Sequence, residues 1–227
     1  MTNKPWKLSP SDFAFLWERC KRCFYLKVVE DFNRPRMPFP RIFGVIDSAM
    51  KVCFEGRHTS EIMADLPPGT IEFGDRWVIS TPIQVRGHTS KCYVRGKIDS
   101  VIKCDDGTYA VIDFKTSSTK ADHNALYSRQ LHAYAYALEH AKAQQLNLSP
   151  VTRLGLIIYE PSQFSSSSGS AALLSGKLEW LEIRRDEESF LRFISQVLQV
   201  LELPAPPSGS PNCEWCDYRE ESRRTGL

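Results

Sequence analysis

The sequence predicts a mixed α/β domain in which a β-sheet is flanked by helices, and three observations carry that prediction. From about Arg76 to Lys115, apolar and polar residues alternate in a stretch rich in Val, Ile and Tyr, the period of half-buried strands. On both sides of it, apolar residues recur at helical spacing. A hydrophobic content of 42% over 227 residues suffices to bury one sizeable core, so residues 1–227 are read as a single domain.

The elements follow in order. An N-terminal helix of about 9–27 has Ser9 as its cap, Pro10 at its first position and Asp12 in its first turn, with Phe13, Leu16, Trp17, Cys20 and Phe24 recurring along it. Pro35, Pro38 and Pro40 then break the chain. A second helix is expected from Arg41 to about Glu55, with Ile42, Val45, Ile46, Ala49, Met50 and Phe54 apolar and Asp47 beside that stripe. Turn signals at Pro82, Gly87-His88 and Asp105-Asp106-Gly107 divide the alternating stretch into a three-stranded meander. A helix from about Asn124 to Gln145 comes next, then a buried strand from Leu154 to Tyr159, a Ser-rich loop over 162–170 and a strand from Lys177 to Ile183. Asp186 is placed to cap an amphipathic helix carrying Phe190, Leu191, Phe193, Ile194, Val197, Leu198 and Leu201, which Pro204 stops. The tail, about 204–227, opens on a Pro-rich run.

Composition excludes several classes. A net charge of +2 and a pI near 8.1 are far from a polycation, so any nucleic-acid binding must come from local patches. No uninterrupted apolar run has the roughly 18 residues of a membrane span, and the start has no signal-like apolar region, so no membrane contact and a cytoplasmic location are expected. No GxxxxGK[ST] phosphate loop is present, which argues against a nucleotide-driven motor. The seven cysteines include two C-x-x-C pairs, Cys20/Cys23 and Cys213/Cys216, a pattern that points to metal rather than disulfides. Cys53, Cys92 and Cys104 are expected to be packed thiols.

The chemical signal lies in YVRGKIDSVIKCDDGTYAVIDFKTS. A three-residue loop over Asp105-Asp106-Gly107, closed by Gly107 in the left-handed conformation, faces Cys104 with Thr108. Counting back along the antiparallel ladder then sets Asp99 opposite Asp113, with Cβ atoms ~5 Å apart. Two facing carboxylates resist ionising together unless a cation lies between them. Lys115 projects from the same face as Asp113, while Ile98, Ile102, Ala110, Ile112 and Phe114 are expected on the opposite, core-facing side. Hard oxygen ligands suit Mg²⁺ or Mn²⁺, and an adjacent ammonium could position or deprotonate an attacking water.

These residues resemble the PD-(D/E)XK nuclease superfamily, and within it the RecB-like branch that includes CRISPR adaptation and helicase-associated exonucleases. Gly96-Lys97-Ile98-Asp99 is similar to its G-x-x-D element, and Val111-Ile112-Asp113-Phe114-Lys115 to its apolar strand ending in D-x-K. Gln130-Leu131-His132-Ala133-Tyr134 resembles the branch's Q-x-x-x-Y motif, and residues 9–26 its opening helix. The resemblance implies a restriction-endonuclease-like mixed sheet flanked by helices and a Mg²⁺- or Mn²⁺-dependent DNA nuclease acting on single strands or duplex ends in repair, recombination or defence. It implies Asp99, Asp113 and the Phe114 carbonyl as metal ligands and Lys115 as the catalytic lysine. Gln130 and Tyr134 would contact the substrate strand or steady the site. The family's preceding helix usually supplies a histidine; here Asp47 is the best substitute, with Ser48 aligned on the missing position if spacing from Gly44 decides. The alternative is a catalytically impaired nucleic-acid-binding module on the same fold.

Some RecB-like nucleases tie their N-terminal helix to their tail through a [4Fe-4S] cluster, which implies the same for Cys20, Cys23, Cys213 and Cys216. Four thiolates in two C-x-x-C pairs equally suit one tetrahedral Zn²⁺. Either would bring Lys21, Arg22, Lys27, Arg34, Arg36 and Arg41 close to Arg219, Arg223 and Arg224, a surface able to track phosphates. Trp17, Trp215 and Tyr218 are either base-stacking residues or core. The resemblance also admits a protein partner such as a helicase.

Overall fold

The computed structural model describes residues 4–35, 37–117, 123–166, 169 and 172–226. The chain opens with β1 (Trp6–Leu8) and three short helices, α1 (Pro10–Ala14), α2 (Leu16–Arg19) and α3 (Lys21–Val29), followed by α4 (Arg41–Phe54). Strands β2 (Gly69–Glu72), β3 (Trp77–Ile79), β4 (Cys92–Lys97), β5 (Ser100–Cys104) and β6 (Tyr109–Thr116) precede α5 (His123–Glu139). The long strands β7 (Val151–Ser166) and β8 (Ala172–Ile183) lead to α6 (Glu187–Leu201) and α7 (Glu214–Arg224).

A five-stranded mixed sheet ordered β2-β5-β6-β7-β8 forms the centre, and a three-stranded sheet ordered β1-β4-β3 stands beside it. This is the mixed sheet flanked by helices that the pattern predicts. The continuous meander is a correction. Strands β3 and β4 pair with each other, but β4 belongs to the smaller sheet while β5 and β6 belong to the larger. Hydrogen bonding tolerates either partition, and tertiary packing of α1 and α5 against β4 decides it. Ile98, expected among the residues packed opposite the carboxylates, therefore enters the other core, with Val94, Val101 and Leu131.

The hairpin itself follows its turn chemistry. Gly107 has φ of 83° and its N–H bonds to Cys104 O at 3.0 Å. Pairing runs from Lys103↔Tyr109 to Ser100↔Ile112, and the same register carried one step further sets Asp99 across from Asp113. One sheet face packs Ile102, Ala110, Ile112 and Phe114 on Met50 and Phe54 of α4. The other packs Val101, Val111, Leu154 and Leu156 under α5 and α6. A β6 buried on both faces is what a strand with a parallel neighbour requires, because the crossover helix lies over it.

Three boundaries differ from the pattern. The first helix is broken into three, with Cys20 extended at φ −166° and ψ 110° to cap α3. Helix α5 ends at Glu139 rather than near Gln145, since Glu139 accepts the Val151 N–H at 2.8 Å and pairs with Arg185, and Lys142 N–H bonds to Ile79 O at 2.8 Å. Strand β7 continues to Ser166, paired with Ala172, through much of the expected Ser-rich loop. At Asp186 the expected cap is present, accepting the Ser189 N–H at 2.8 Å.

Gly96 marks where α1 and α5 close on β4. An added Cβ would lie 2.8 Å from Pro10 Cδ and 2.9 Å from Tyr134 Cε1, both on rigid rings. Gly96→Ala is expected to lower stability by about 1–3 kcal/mol through overpacking, measured as the urea midpoint at unchanged slope.

Candidate functional site

Asp99, Asp113 and Lys115 converge where β5 and β6 begin and end beneath α5. Asp99 sits in the link between β4 and β5, and its Oδ2 accepts the Phe114 N–H at 3.1 Å, which ties it to β6. Asp113 is only 3% exposed. Its Oδ1 accepts from Gln130 Nε2 at 3.0 Å and its Oδ2 forms an ion pair with Lys115. Burial first, and then the nearby Asp99 carboxylate, push the Asp113 carboxyl up to about 7 despite the opposing Lys115 charge. The Lys115 ammonium lies 4.8 Å over the Tyr127 ring, and although burial disfavours its charge, Asp113 holds it above the ordinary lysine range.

Helix α5 positions this group. Gln130 and Tyr134, one turn apart, are both buried, and Tyr134 OH donates to Lys97 O at 2.9 Å. Both thus face the protein: Gln130 holds a carboxylate and Tyr134 holds the end of β4. The expected chemical face of the hairpin is therefore enclosed rather than open, because α5 crosses it.

Helix α4 contributes more than the pattern indicates. Asp47 faces the site, but its Oδ2 pairs with Lys51 Nζ at 3.0 Å. The same ammonium lies 2.8 Å from Asp99 Oδ1 and 3.1 Å from Asp75 Oδ1. Asp75 in turn pairs with Lys97 at 3.2 Å. Lys51 stands above the ordinary lysine range despite burial, held there chiefly by Asp99. Sequence reasoning missed Lys51 and Asp75. The i,i+4 spacing of Asp47 and Lys51 was a usable signal for the first; Asp75, in a turn at φ 54°, reaches the site only through tertiary structure. Ser48, aligned with the missing histidine, is exposed.

The oxygen donors suit a divalent cation: two adjoining carboxylates, one of them pushed toward protonation by burial and then by its neighbour Asp99. A third carboxylate does not join them, since Lys51 stands between Asp47 and Asp99.

A second centre joins the chain ends. Cys20, Cys23, Cys213 and Cys216 place their sulfurs within 4.8 Å of one another, the one group of three or more such ligands that converges among the described residues. Sulfur separations are 3.7 Å for Cys20–Cys216, Cys23–Cys213 and Cys23–Cys216. Arg34 Nη2 donates to Cys213 Sγ at 3.1 Å. Burial raises Cys23 and Cys216, whereas in Cys20 backbone hydrogen bonds from Ser210 and Cys23 overcome burial and bring the thiol down to about 6. Cys92 and Cys104 are packed as expected, but Cys53 is exposed on α4.

The expected basic surface forms in part. Arg22, Arg219 and Arg223 line one cavity of about 300 Å³, together with Asp217 and Glu220. Lys27 is instead paired with Asp12 at 2.7 Å, Arg224 bonds to Glu221, and Arg36 lies outside the described residues. Trp17 is core, packed edge-on against Phe24 and Phe193, whereas Tyr218 is 70% exposed beside Trp215.

Comparison with known proteins agrees with this architecture. The chain is similar along 97% of its length, and 87% of the other chain's, to a solved structure titled "Crystal structure of SSO0001", with 14% identity and a TM-score of 0.54, a likeness of fold. No curated protein matches it. A family model described as the PD-(D/E)XK nuclease superfamily matches residues 57–220, which include Asp99, Asp113, Lys115, Gln130 and Tyr134. With a buried D-x-K strand, a facing aspartate and that match over more than half its length, the chain belongs to the PD-(D/E)XK nuclease superfamily.

Proposed function

We propose that this nuclease-superfamily chain is a Mg²⁺- or Mn²⁺-dependent deoxyribonuclease of RecB-like character that hydrolyses DNA phosphodiester bonds. The observation that carries the reading is the pairing of buried Asp113 with Asp99 on one side and Lys115 on the other. Asp99, Asp113 and the Phe114 carbonyl would hold the ion. When bound, it supplies Lewis acidity toward phosphate and water. The chain's own groups do the rest: Gln130 and the Phe114 N–H fix the two carboxylates, and Lys115 orients the attacking water and offsets charge developing on the phosphate. The four-motif resemblance supports DNA, as single strands or duplex ends, and a cytoplasmic role in repair, recombination or defence. No helix among the described residues is long and apolar enough to cross a membrane.

The test is cleavage of labelled single-stranded and duplex DNA with Mg²⁺ or Mn²⁺, and with RNA in parallel. Metal-dependent DNA cleavage lost in Asp113→Ala is the expected result. Binding without cleavage of any substrate would instead favour the impaired binding module on this fold.

For the cysteines, we propose zinc rather than the iron–sulfur cluster. A tetrahedral ion with ~2.3 Å bonds to sulfur sets the sulfurs ~3.8 Å apart, close to the 3.7 Å separations seen. A cubane carries an iron at each ligated corner, so its four thiolates stand around the cluster instead of converging on one point. A colourless protein with one zinc per chain is expected; a brown one absorbing near 400 nm would reverse the assignment.

The Asp113 carboxyl gives a pH prediction. Its folded pKa, about 7, lies above its ordinary value of 3.8, so its contribution to stability is full below about 4 and is lost as pH rises through 7. With divalent metal chelated from the oxygen site, the melting temperature of wild type relative to Asp113→Asn should fall between pH 4 and 7. Mn²⁺ affinity should rise over the same range as the proton is displaced. A difference in melting temperature that is flat with pH would contradict the burial of this carboxyl.

A further inference from the structure

The smaller sheet carries chemistry that the carboxylate pair does not use. Its register sorts β1, β3 and β4 into two faces and sets Lys7 beside Tyr93, Trp77 beside Lys97 and Ile79 beside Arg95. The residues that alternate with them, Leu8, Val78, Cys92 and Val94, are fully buried in the main core. On the opposite face Lys7, Trp77, Arg95 and Lys97 are all exposed. Trp77 is 55% exposed, unusual for so large a ring, and the Arg95 guanidinium lies over it at 5.1 Å. Lys7, Arg95 and Trp77 line a cavity of about 540 Å³ together with Lys27, Asp31 and Asn33.

We propose that this face is a binding platform for single-stranded nucleic acid, with one unpaired base stacked on Trp77 and backbone phosphates on Lys7 and Arg95. The platform rests on the nuclease reading above and narrows its substrate to single strands. Bases of a duplex are already stacked on one another, so an exposed ring gains a partner only from a strand whose bases are free. Three cations, Lys7, Lys27 and Arg95, face two acids, Asp12 and Asp31, in the cavity wall. Lys27 and Lys97 are paired with Asp12 and Asp75, whereas Lys7 and Arg95 form no salt bridge among the described residues and remain for phosphates. An aromatic ring flanked by lysine and arginine also differs from a protein-docking spot, where lysine is depleted around the aromatic anchors.

The platform adjoins the carboxylate site. Ile98 N–H bonds to Arg76 O at 2.9 Å and Asp75 N–H to Asp99 O at 3.1 Å, so the ladder between β3 and β4 runs on to Asp99. Two residues of extended chain, ~7 Å, separate Asp99 from Lys97, the neighbour of Trp77. Side chains span the same step: Lys97 reaches Asp75 at 3.2 Å, and Lys51 joins Asp75 at 3.1 Å to Asp99 at 2.8 Å. At ~3.4 Å of rise per nucleotide, the base on Trp77 lies about two nucleotides from the phosphate at the carboxylates.

The experiment measures binding of a fluorescein-labelled thymidine oligonucleotide and of a blunt duplex to the full chain by anisotropy, with no divalent ion added so that neither is cut. Trp77→Ala is expected to weaken single-strand binding about 5- to 150-fold, the range of one lost base stack, and to leave the duplex unchanged. Trp77→Phe should recover most of the loss. Lys7→Gln and Arg95→Gln should each lower the slope of log Kd against log salt by about 0.7, one phosphate contact, whereas Trp77→Ala leaves that slope alone. An abasic position moved along the strand tests stacking on wild type itself: at one position it should cost as much as Trp77→Ala, and cost nothing further in that variant. No loss in Trp77→Ala, equal loss on strand and duplex, or no strand binding by wild type would overturn the proposal. So would a Trp77→Ala effect on sedimentation alone, which would mark an interface between protein chains. Strand binding that depends on Trp77, without Mg²⁺- or Mn²⁺-dependent cleavage, would sink the nuclease reading and leave the platform standing. Cleavage indifferent to Trp77 would do the reverse.

Discussion

Lys115→Ala is expected to reduce phosphodiester cleavage by about 10³-fold while Mn²⁺ still binds, because the lysine acts on the reaction and the carboxylates hold the ion. The geometry makes the two effects separable. Lys115 is anchored from below by Asp113 and capped by the Tyr127 ring, so its ammonium is confined to one small volume beside the carboxylate pair. That confinement gives an ammonium its catalytic value, since no reorganisation is needed as charge develops on phosphate. Removing it also leaves Asp113 with Asp99 as its dominant charged neighbour, and the Asp113 carboxyl should rise further above 7. The pH profile of residual cleavage should therefore shift to higher pH, as expected of an ammonium paired with this carboxyl. Lys115→Arg tests the role further: it retains the charge but not the size, and should recover binding of substrate better than turnover. Metal-dependent cleavage that survives both Lys115→Ala and Asp113→Ala would place the site elsewhere.

How much of this was legible in sequence depends on how local the cause is. The hairpin register was readable because Asp105-Asp106-Gly107 selects a three-residue loop, and a fixed loop dictates every facing pair down to Asp99 and Asp113. The Asp186 cap, the extent of α4 and the meeting of the four cysteines follow from equally local or chemically unambiguous signals. The division of β4 from β5 between two sheets was not readable, since both strands alternate identically and only the packing of Pro10 and Tyr134 on Gly96 separates them. Lys51 failed for a related reason. Lysine on a helix reads as a solvated face, and its meaning here comes from Asp75 and Asp99, which lie 24 and 48 residues away in sequence.

Stripping the metal from the cysteine centre, or replacing Cys213 by Ser, is expected to release α7 and to lower the melting temperature by about 6–12 °C. Helix α7 has no buried residue of its own, and its N-cap, Cys213, makes no side-chain capping bond to it. An 11-residue helix without a buried face is marginal in water, so it is held by the sulfur ligands together with half-buried Trp215 packed on them and Arg219 over the Phe32 ring. The preceding linker is fastened by Glu202, which accepts from the Thr89 and Ser90 N–H groups, by Tyr25 OH to Leu203 O at 3.1 Å and by Arg22 Nη1 to Pro207 O at 3.3 Å. At the other end, Cys20 caps α3, whose Phe24 packs with Trp17 and Phe13 in the main core, so loosening the centre reaches that core. A loss of ~3 kcal/mol of that coupling corresponds to the stated shift for a chain of this size, at roughly 2–4 °C per kcal/mol. Hydrogen exchange separates this from global damage: amides of 214–224 should lose protection while those of β6 and β7 keep theirs. Equal loss in all three would mean that the centre is integral to the core. No change in any would mean that the four thiols hold no structural metal.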